Sequence, residues 1–113
     1  MLKTEIDVEQ VAIIFKLLSD KTRLTMVKIL NDHSVCVCEF VELFKMSQPA
    51  ISQHLRKLKQ AEIVKEEKKS QWVYYSINKA HPYYPFINQI LVQLPDQKYR
   101  FEELKAKGIN LLC

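Results

Sequence analysis

With 113 residues, 48% of them hydrophobic and 27% charged, the chain has the size and composition of one soluble globular domain rather than a disordered segment. The single glycine, Gly108, excludes the glycine-rich loops that hold nucleotide phosphates. No hydrolase or zinc-protease spacing of Ser, His, Asp or Glu is recognisable, so an enzyme is not expected. Neither a membrane-spanning run nor an export signal is recognisable, so we expect a cytoplasmic protein.

Apolar residues at helical spacing predict three helices in the first 45 residues. Ser19 and Asp20 offer caps for the second of them. The apolar stripes are Val8, Val11, Ala12, Phe15 and Leu18 in the first helix, Leu24, Val27 and Leu30 in the second, and Val37, Phe40, Val41 and Phe44 in the third.

A fourth helix is predicted at about residues 47–61. Ser47 is a good N-cap, and Pro49 is tolerated in a first helical turn because its missing N–H has no partner there. Two β-like runs follow at about 63–77, and we expect a loose turn between them at Lys68–Gln71 because no Asn-Gly or Asp-Gly pair is present. Two short helices with a polar, basic second helix and a hairpin behind it are typical of a winged helix-turn-helix.

The remaining chain predicts a further helix at about 83–94, ended by Pro95, and a charged stretch that Gly108 closes. The first helix and the 83–94 helix are apolar for the ends of so small a monomer, which favours dimerisation through both. Packing into one monomeric core accounts for the pattern equally well. The fold class is therefore mainly α with a small β-hairpin, in a single winged helix-turn-helix domain over 1–113.

The net charge of +4 is concentrated in one segment. Seven cations and three anions lie between Lys45 and Gln71, so the rest of the chain is balanced. Such a segment is typical of a protein that binds a polyanion, although a solvated surface would have the same composition.

The fourth helix and the wing carry the residues that we expect to contact double-stranded DNA. Short polar side chains near the helix N-terminus suit base edges, and the cations suit phosphates. The candidates are Ser47, Gln48, Ser52, Gln53, His54, Arg56, Lys57, Lys68 and Lys69.

The run LSDKTRLTMVKIL followed by VCVCEFVELFKMSQPAISQHLRKLKQAEIVKEEKKSQWVYYSI resembles the ArsR/SmtB family of metal-responsive repressors over roughly residues 8–94. The segment SQPAISQHLRKLKQAEIV is similar to the recognition helix of that family and to its lead into the wing. The resemblance implies a homodimer that binds an imperfect inverted repeat in operator DNA and is released when a ligand binds.

Cys36-Val37-Cys38-Glu39 resembles the Cys-Val-Cys-acidic motif of the family, at the start of the third helix. Burial as two small apolar residues is the structural alternative. A helix N-terminus favours the thiolate form that binds metals. Residues two apart on a helix point about 200° apart, so we expect both thiolates to bind one ion only if this turn unwinds, which would disturb the recognition helix.

Two thiolates favour a thiophilic ion, and As(III) or Sb(III) is the first candidate for the ligand that releases the repressor. In the arsenic sensors that this chain resembles, a third cysteine follows where Val41 stands here, so Cys113 becomes the candidate third ligand, with a plain terminal residue as the alternative. Cd(II), Pb(II) and Zn(II) are the second candidates. The cadmium and lead sensors of the family add cysteines from an N-terminal arm, and residues 1–35 contain none. The zinc sensors use Asp/His and His/Glu pairs on the last helix, which here has only His81 at its edge. His33 is a possible nitrogen ligand.

Two other classes of function remain open. One is a winged-helix regulator without metal, controlled by thiol oxidation. The other is an interaction module or an enzyme subunit that uses the same fold. DNA affinity that falls steeply with salt would distinguish a DNA-binding protein from an interaction module.

Overall fold

The structure, a computed structural model, describes residues 6–108 of the chain. The elements in chain order are α1 (Val8–Leu18), α2 (Lys21–Asp32), β1 (Val35–Cys36), α3 (Val37–Phe44), α4 (Gln48–Gln60), β2 (Val64–Lys69), β3 (Trp72–Ile77), α5 (Tyr84–Leu91) and α6 (Lys98–Ala106). None of these helices combines the length and the apolarity that a membrane crossing needs.

Polar caps fix where the main helices begin. The side chain of Asp7 accepts from the N–H of Glu9 and begins α1, while that of Asp20 accepts from the N–H of Arg23 and begins α2. Each cap gives one N-terminal N–H group a local partner, and each helix buries one apolar face in a common core. Fully buried side chains at the centre of the core are Met26, Val27, Phe40, Ile51, Leu55, Leu58 and Leu91.

The three strands form one antiparallel sheet in the order β1-β3-β2. The hairpin β2–β3 is the predicted wing, but its turn is tighter than expected, since Lys69 pairs with Trp72 across only Ser70 and Gln71. Ser70 accommodates this turn with a φ of 59°. The prediction of a loose turn at Lys68–Gln71 is therefore wrong, and both lysines belong to β2.

β1 has no counterpart among the predicted elements. It contains only two residues, and it exists because it pairs with β3, with Val35 opposite Tyr75 and Cys36 opposite Tyr74. The strand joins the wing directly to the start of α3. The mainly helical winged helix-turn-helix architecture is confirmed, with this small addition to the sheet.

Candidate nucleic-acid interface and cysteine site

The recognition helix α4 is held by a cap and by three buried side chains. The hydroxyl of Ser47 accepts from the N–H of Ala50 at 3.3 Å, and a proline follows in the first turn. Ile51, Leu55 and Leu58 anchor the inner face in the core. Lys45, in the left-handed conformation with a φ of 54°, makes the sharp connection from α3. The outer face of α4 is therefore presented rigidly to solvent.

Most of the predicted DNA contacts lie together on this outer face or on the adjoining wing. Ser52 is half-buried at the side of α4. The exposed ones are Ser47, Gln48, Gln53, Arg56 and Lys57 on or beside α4, and Lys68 and Lys69 on β2. The amide and hydroxyl groups at the start of α4 suit base edges, and the cations on α4 and on the wing suit phosphates.

His54 lies apart from this set. Its ring is half-buried against the start of α2, with Nδ1 3.2 Å from Nη1 of Arg23 and 3.9 Å from Oδ2 of Asp20. It points to a neighbouring helix rather than along the outer face of α4.

The wing is braced against α4 by charged and aromatic side chains. Lys59 of α4 donates to the carboxylate of Glu66 on β2, and this contact lowers the pKa of Glu66. Burial and a hydrogen bond to Glu66 raise the pKa of Tyr75 to about 12. Because Lys59 is engaged with its own wing, it is less available to an external anion than the other cations of α4.

Sequence reasoning missed two apolar residues at the wing tip. Trp72 and Val73 are large apolar side chains that remain exposed there, beside the lysines. The signal in the sequence was Trp72, the only tryptophan of the chain, because a large aromatic residue is unusual next to a solvated turn.

The two cysteines of the predicted site belong to different elements. Cys36 ends β1 and is the N-cap of α3 with an extended backbone, whereas Cys38 lies in the first turn of α3. Cys36 is buried and Cys38 is exposed. Their Sγ atoms are 3.1 Å apart, and the N–H of Cys36 donates to the carboxylate of Glu39.

This geometry corrects one expectation. The expected angle of 200° applies to two helical residues, but Cys36 precedes the helix, so its side chain lies toward that of Cys38 while α3 stays intact. Unwinding is not needed to bring the two sulfurs together.

The donor set at this site suits a thiophilic ion but is incomplete within residues 6–108, where no group of three Cys, His, Asp or Glu side chains is placed to hold a metal. Val41 is half-buried at the position where the arsenic sensors that the sequence resembles have a third cysteine, and Cys113 lies outside the described residues. His33 packs against the ring of Phe101, and His81 contacts the backbone of Ala61 and of Tyr83.

Comparison with known proteins defines the class. Residues 20–66 match the model of the family described as bacterial regulatory protein, arsR family. The arsenical resistance operon repressor of Escherichia coli is 32% identical over 97 residues, covering 85% of this chain and 78% of the relative. The arsenic resistance transcriptional regulator ArsR1 of Pseudomonas putida is 42% identical over 74 residues, covering 65% of this chain and 56% of that regulator, so the match spans little more than half of its length.

Solved structures agree in fold. Reduced HlyU from Vibrio cholerae superposes with a TM-score of 0.68 at 24% identity, covering 78% of this chain and 92% of HlyU. The transcriptional repressor BigR from Xylella fastidiosa superposes with a TM-score of 0.64 at 26% identity, covering 79% and 90%.

The fold and the outer face of α4 define a DNA-binding winged helix-turn-helix protein, a transcriptional regulator rather than an enzyme. The chain belongs to the ArsR family and is a transcriptional repressor, which confirms the resemblance found in the sequence.

Proposed function

We propose that this repressor is released from its operator when As(III) or Sb(III) binds the thiolates of Cys36 and Cys38. The observation that carries the proposal is the 3.1 Å separation of the two sulfurs at the start of α3, one element before the recognition helix. The arsenical resistance named for several relatives supports this choice of ligand. Cd(II), Pb(II) and Zn(II) are the second candidates, since they also accept thiolates.

The distance between the sulfurs suits a shared ion. Metal–sulfur bonds of about 2.3 Å place two sulfurs about 3.4 Å apart at a bond angle near 95° and about 3.8 Å apart at a tetrahedral angle. From 3.1 Å, the sulfurs need to separate by only about 0.3–0.7 Å. We assign the third position of a trigonal site to Cys113, from the same subunit or from a second copy.

The elements that carry the cysteines suggest how ligand binding reaches the DNA. Cys36 pairs with Tyr74 on β3, so movement of its backbone reaches the wing. Cys38 lies on α3, which contacts α4 and leads into it through Lys45 and Met46. Separation of the sulfurs therefore shifts the wing and the recognition helix relative to each other, and phosphate and base contacts can no longer form together.

We infer that the repressor acts as a homodimer on an inverted repeat. The rings of Phe15 on α1 and Phe86 on α5 contact each other in a tilted arrangement, with centroids 5.9 Å apart, and Phe15 remains half exposed. Val8 on α1 and Val92 after α5 are exposed apolar residues as well. A second copy would cover this surface, and twofold symmetry would place two recognition helices on one operator.

The test uses a labelled DNA duplex selected from a random library by the wild-type protein. Arsenite is added to the complex while fluorescence anisotropy reports release and ultraviolet absorption reports arsenic–sulfur bonds. Cys36→Ser and Cys38→Ser proteins are expected to bind the duplex with wild-type affinity and to stay bound in arsenite. Release of either variant at the wild-type arsenite concentration would overturn the assignment.

A second pair of variants tests the third donor. We expect Cys113→Ser to weaken the arsenite response, and Val41→Cys in the same protein to restore it, because residues three apart on α3 share a face. A Cys113→Ser protein with a wild-type response would remove Cys113 from the site. Parallel titrations with Cd(II), Pb(II) and Zn(II) rank the ligands.

The closeness of the sulfurs also favours a second function, thiol-redox control. In that case the two thiols lose two protons and two electrons to a disulfide oxidant such as oxidised glutathione, forming the Cys36–Cys38 bond and two reduced glutathione molecules. Release by oxidised glutathione in the presence of a chelator, without release by arsenite, would favour this alternative.

A further inference from the structure

Three helices meet at Arg23, near the start of α2. Its Nε donates to the carbonyl oxygen of Leu17 at the end of α1 at 2.8 Å. Its Nη1 is 3.2 Å from Nδ1 of His54 on α4. Asp20 caps α2 through the N–H of Arg23 and faces the same imidazole at 3.9 Å. Arg23 thus connects the end of α1 and the start of α2 to the middle of α4.

The chemistry of this contact fixes the state of His54. A guanidinium has donors and no acceptor, so Nδ1 must accept the hydrogen bond and the ring proton must reside on Nε2. Protonation of His54 would place a second N–H against the guanidinium and abolish the contact. The contact therefore requires a neutral imidazole.

We propose that Arg23 and His54 are a positioning pair that orients α4 for operator binding, with His54 acting through Arg23 rather than touching DNA. The inference rests on DNA binding by α4 and is independent of the cysteines. It also reassigns His54, which the helix pattern alone groups with the DNA contacts.

The electrostatic surroundings agree with the geometry. Burial lowers the pKa of His54, Asp20 acts in the opposite direction, and the positive charges of Arg23 and Lys57 lower it further. Lys16 of α1 lines the same groove as Arg23 and Lys57 and adds a further positive charge on that side. A histidine whose pKa is lowered on folding favours the folded arrangement above its ordinary pKa of 6.5 and loses that contribution as the pH falls below it.

Two amide variants separate positioning from direct contact. The side-chain oxygen of asparagine lies near the place of Nδ1, so His54→Asn keeps an acceptor for Arg23. The amide of glutamine reaches the place of Nε2, so His54→Gln keeps a donor toward the outside. We expect His54→Leu to weaken binding of the selected duplex at least about tenfold, His54→Asn to restore it to within about threefold, and His54→Gln not to restore it.

The pH dependence of DNA binding gives a second readout, in which the two possible roles of His54 predict changes of affinity in opposite directions. For a positioning histidine, wild-type affinity falls more than that of His54→Asn as the pH is lowered below the ordinary histidine pKa of 6.5, because protonation breaks the contact with Arg23. For a histidine that binds a phosphate, affinity rises as the pH is lowered. Rescue by glutamine, or a rise in affinity at low pH that His54→Asn lacks, would overturn the proposal.

Both readouts are taken without arsenite, so they are unaffected by the fate of the proposed ligand site. Thermal unfolding of each variant in the absence of DNA verifies folding. If His54→Leu does not fold, the comparison of the asparagine and glutamine variants still decides between the two roles.

Discussion

Salt dependence tests the DNA interface because the structure separates available cations from engaged ones. Arg56 and Lys57 on α4 and Lys68 and Lys69 on the wing are exposed, and no ion pair within residues 6–108 involves them. Lys59, on the same helix, is paired with Glu66. We therefore expect substitution of Arg56 to change the salt dependence of DNA binding and substitution of Lys59 to leave it unchanged.

The size of the effect follows from the number of phosphates neutralised. Four cations per protomer give about eight phosphate contacts in a dimer, and each contributes about −0.9 to the slope of log K against log salt concentration, so the slope is about −7. The affinity then falls about 10⁴-fold between about 50 mM and about 200 mM salt. Arg56→Gln removes one contact per protomer and makes the slope shallower by about 1.8.

The assay is fluorescence anisotropy of the selected duplex over a series of potassium chloride concentrations. Lys59→Gln is the matched control, since it removes a charge from the same helix without removing an available one. Equal changes of slope in the Arg56 and Lys59 variants would refute the distinction between available and engaged cations. A slope near zero for the wild-type protein would refute phosphate binding altogether.

Two further predictions concern assembly and pH. Phe15→Glu places a carboxylate on the exposed surface of α1, and we expect it to raise the dissociation constant of the proposed dimer at least about 100-fold, as measured by sedimentation. Val73→Glu, on the wing, is the control and should leave this constant unchanged. A Phe15→Glu protein that remains dimeric would contradict the assigned interface. The pKa of Tyr75 is raised from 10.0 to about 12, so between these values the unfolded chain releases this proton first and the free energy of unfolding falls as the pH rises. Urea unfolding should show this fall in the wild-type protein and less of it in Tyr75→Phe; identical pH profiles would remove Tyr75 as the cause.

The helices were predictable because their signals are local. In α4, a serine cap, a proline in the first turn and apolar residues at Ile51, Leu55 and Leu58 all lie within one short segment. Each of these signals acts over three or four residues, which is the range that sequence patterns report well. The class of DNA-binding protein followed from the order of such elements and from the position of the basic segment.

Features that depend on distant partners were not predictable in the same way. β1 has two residues and exists through its pairing with β3, almost 40 positions later. The turn at Ser70 is tight because the strands beside it pair to their ends, although its residues are not the usual ones. The partner of His54 is Arg23, 31 positions earlier, so the helix pattern of α4 could not show that this ring points away from the outer face.

The unpredicted strand changes the physical picture of sensing. With Cys36 outside α3, no helical turn has to be broken to bring the two sulfurs together, and the proposed ligand would require them to separate by about 0.3–0.7 Å. Hydrogen bonds to base edges and phosphates tolerate heavy-atom distances of about 2.7–3.2 Å, a window of about 0.5 Å. If the proposed ligand displaced α3 by a similar distance, the shift passed to α4 through Lys45 would be comparable to the full width of that window. In the proposed dimer both protomers would shift, so small displacements at four sulfurs would act on the contacts at two operator half-sites.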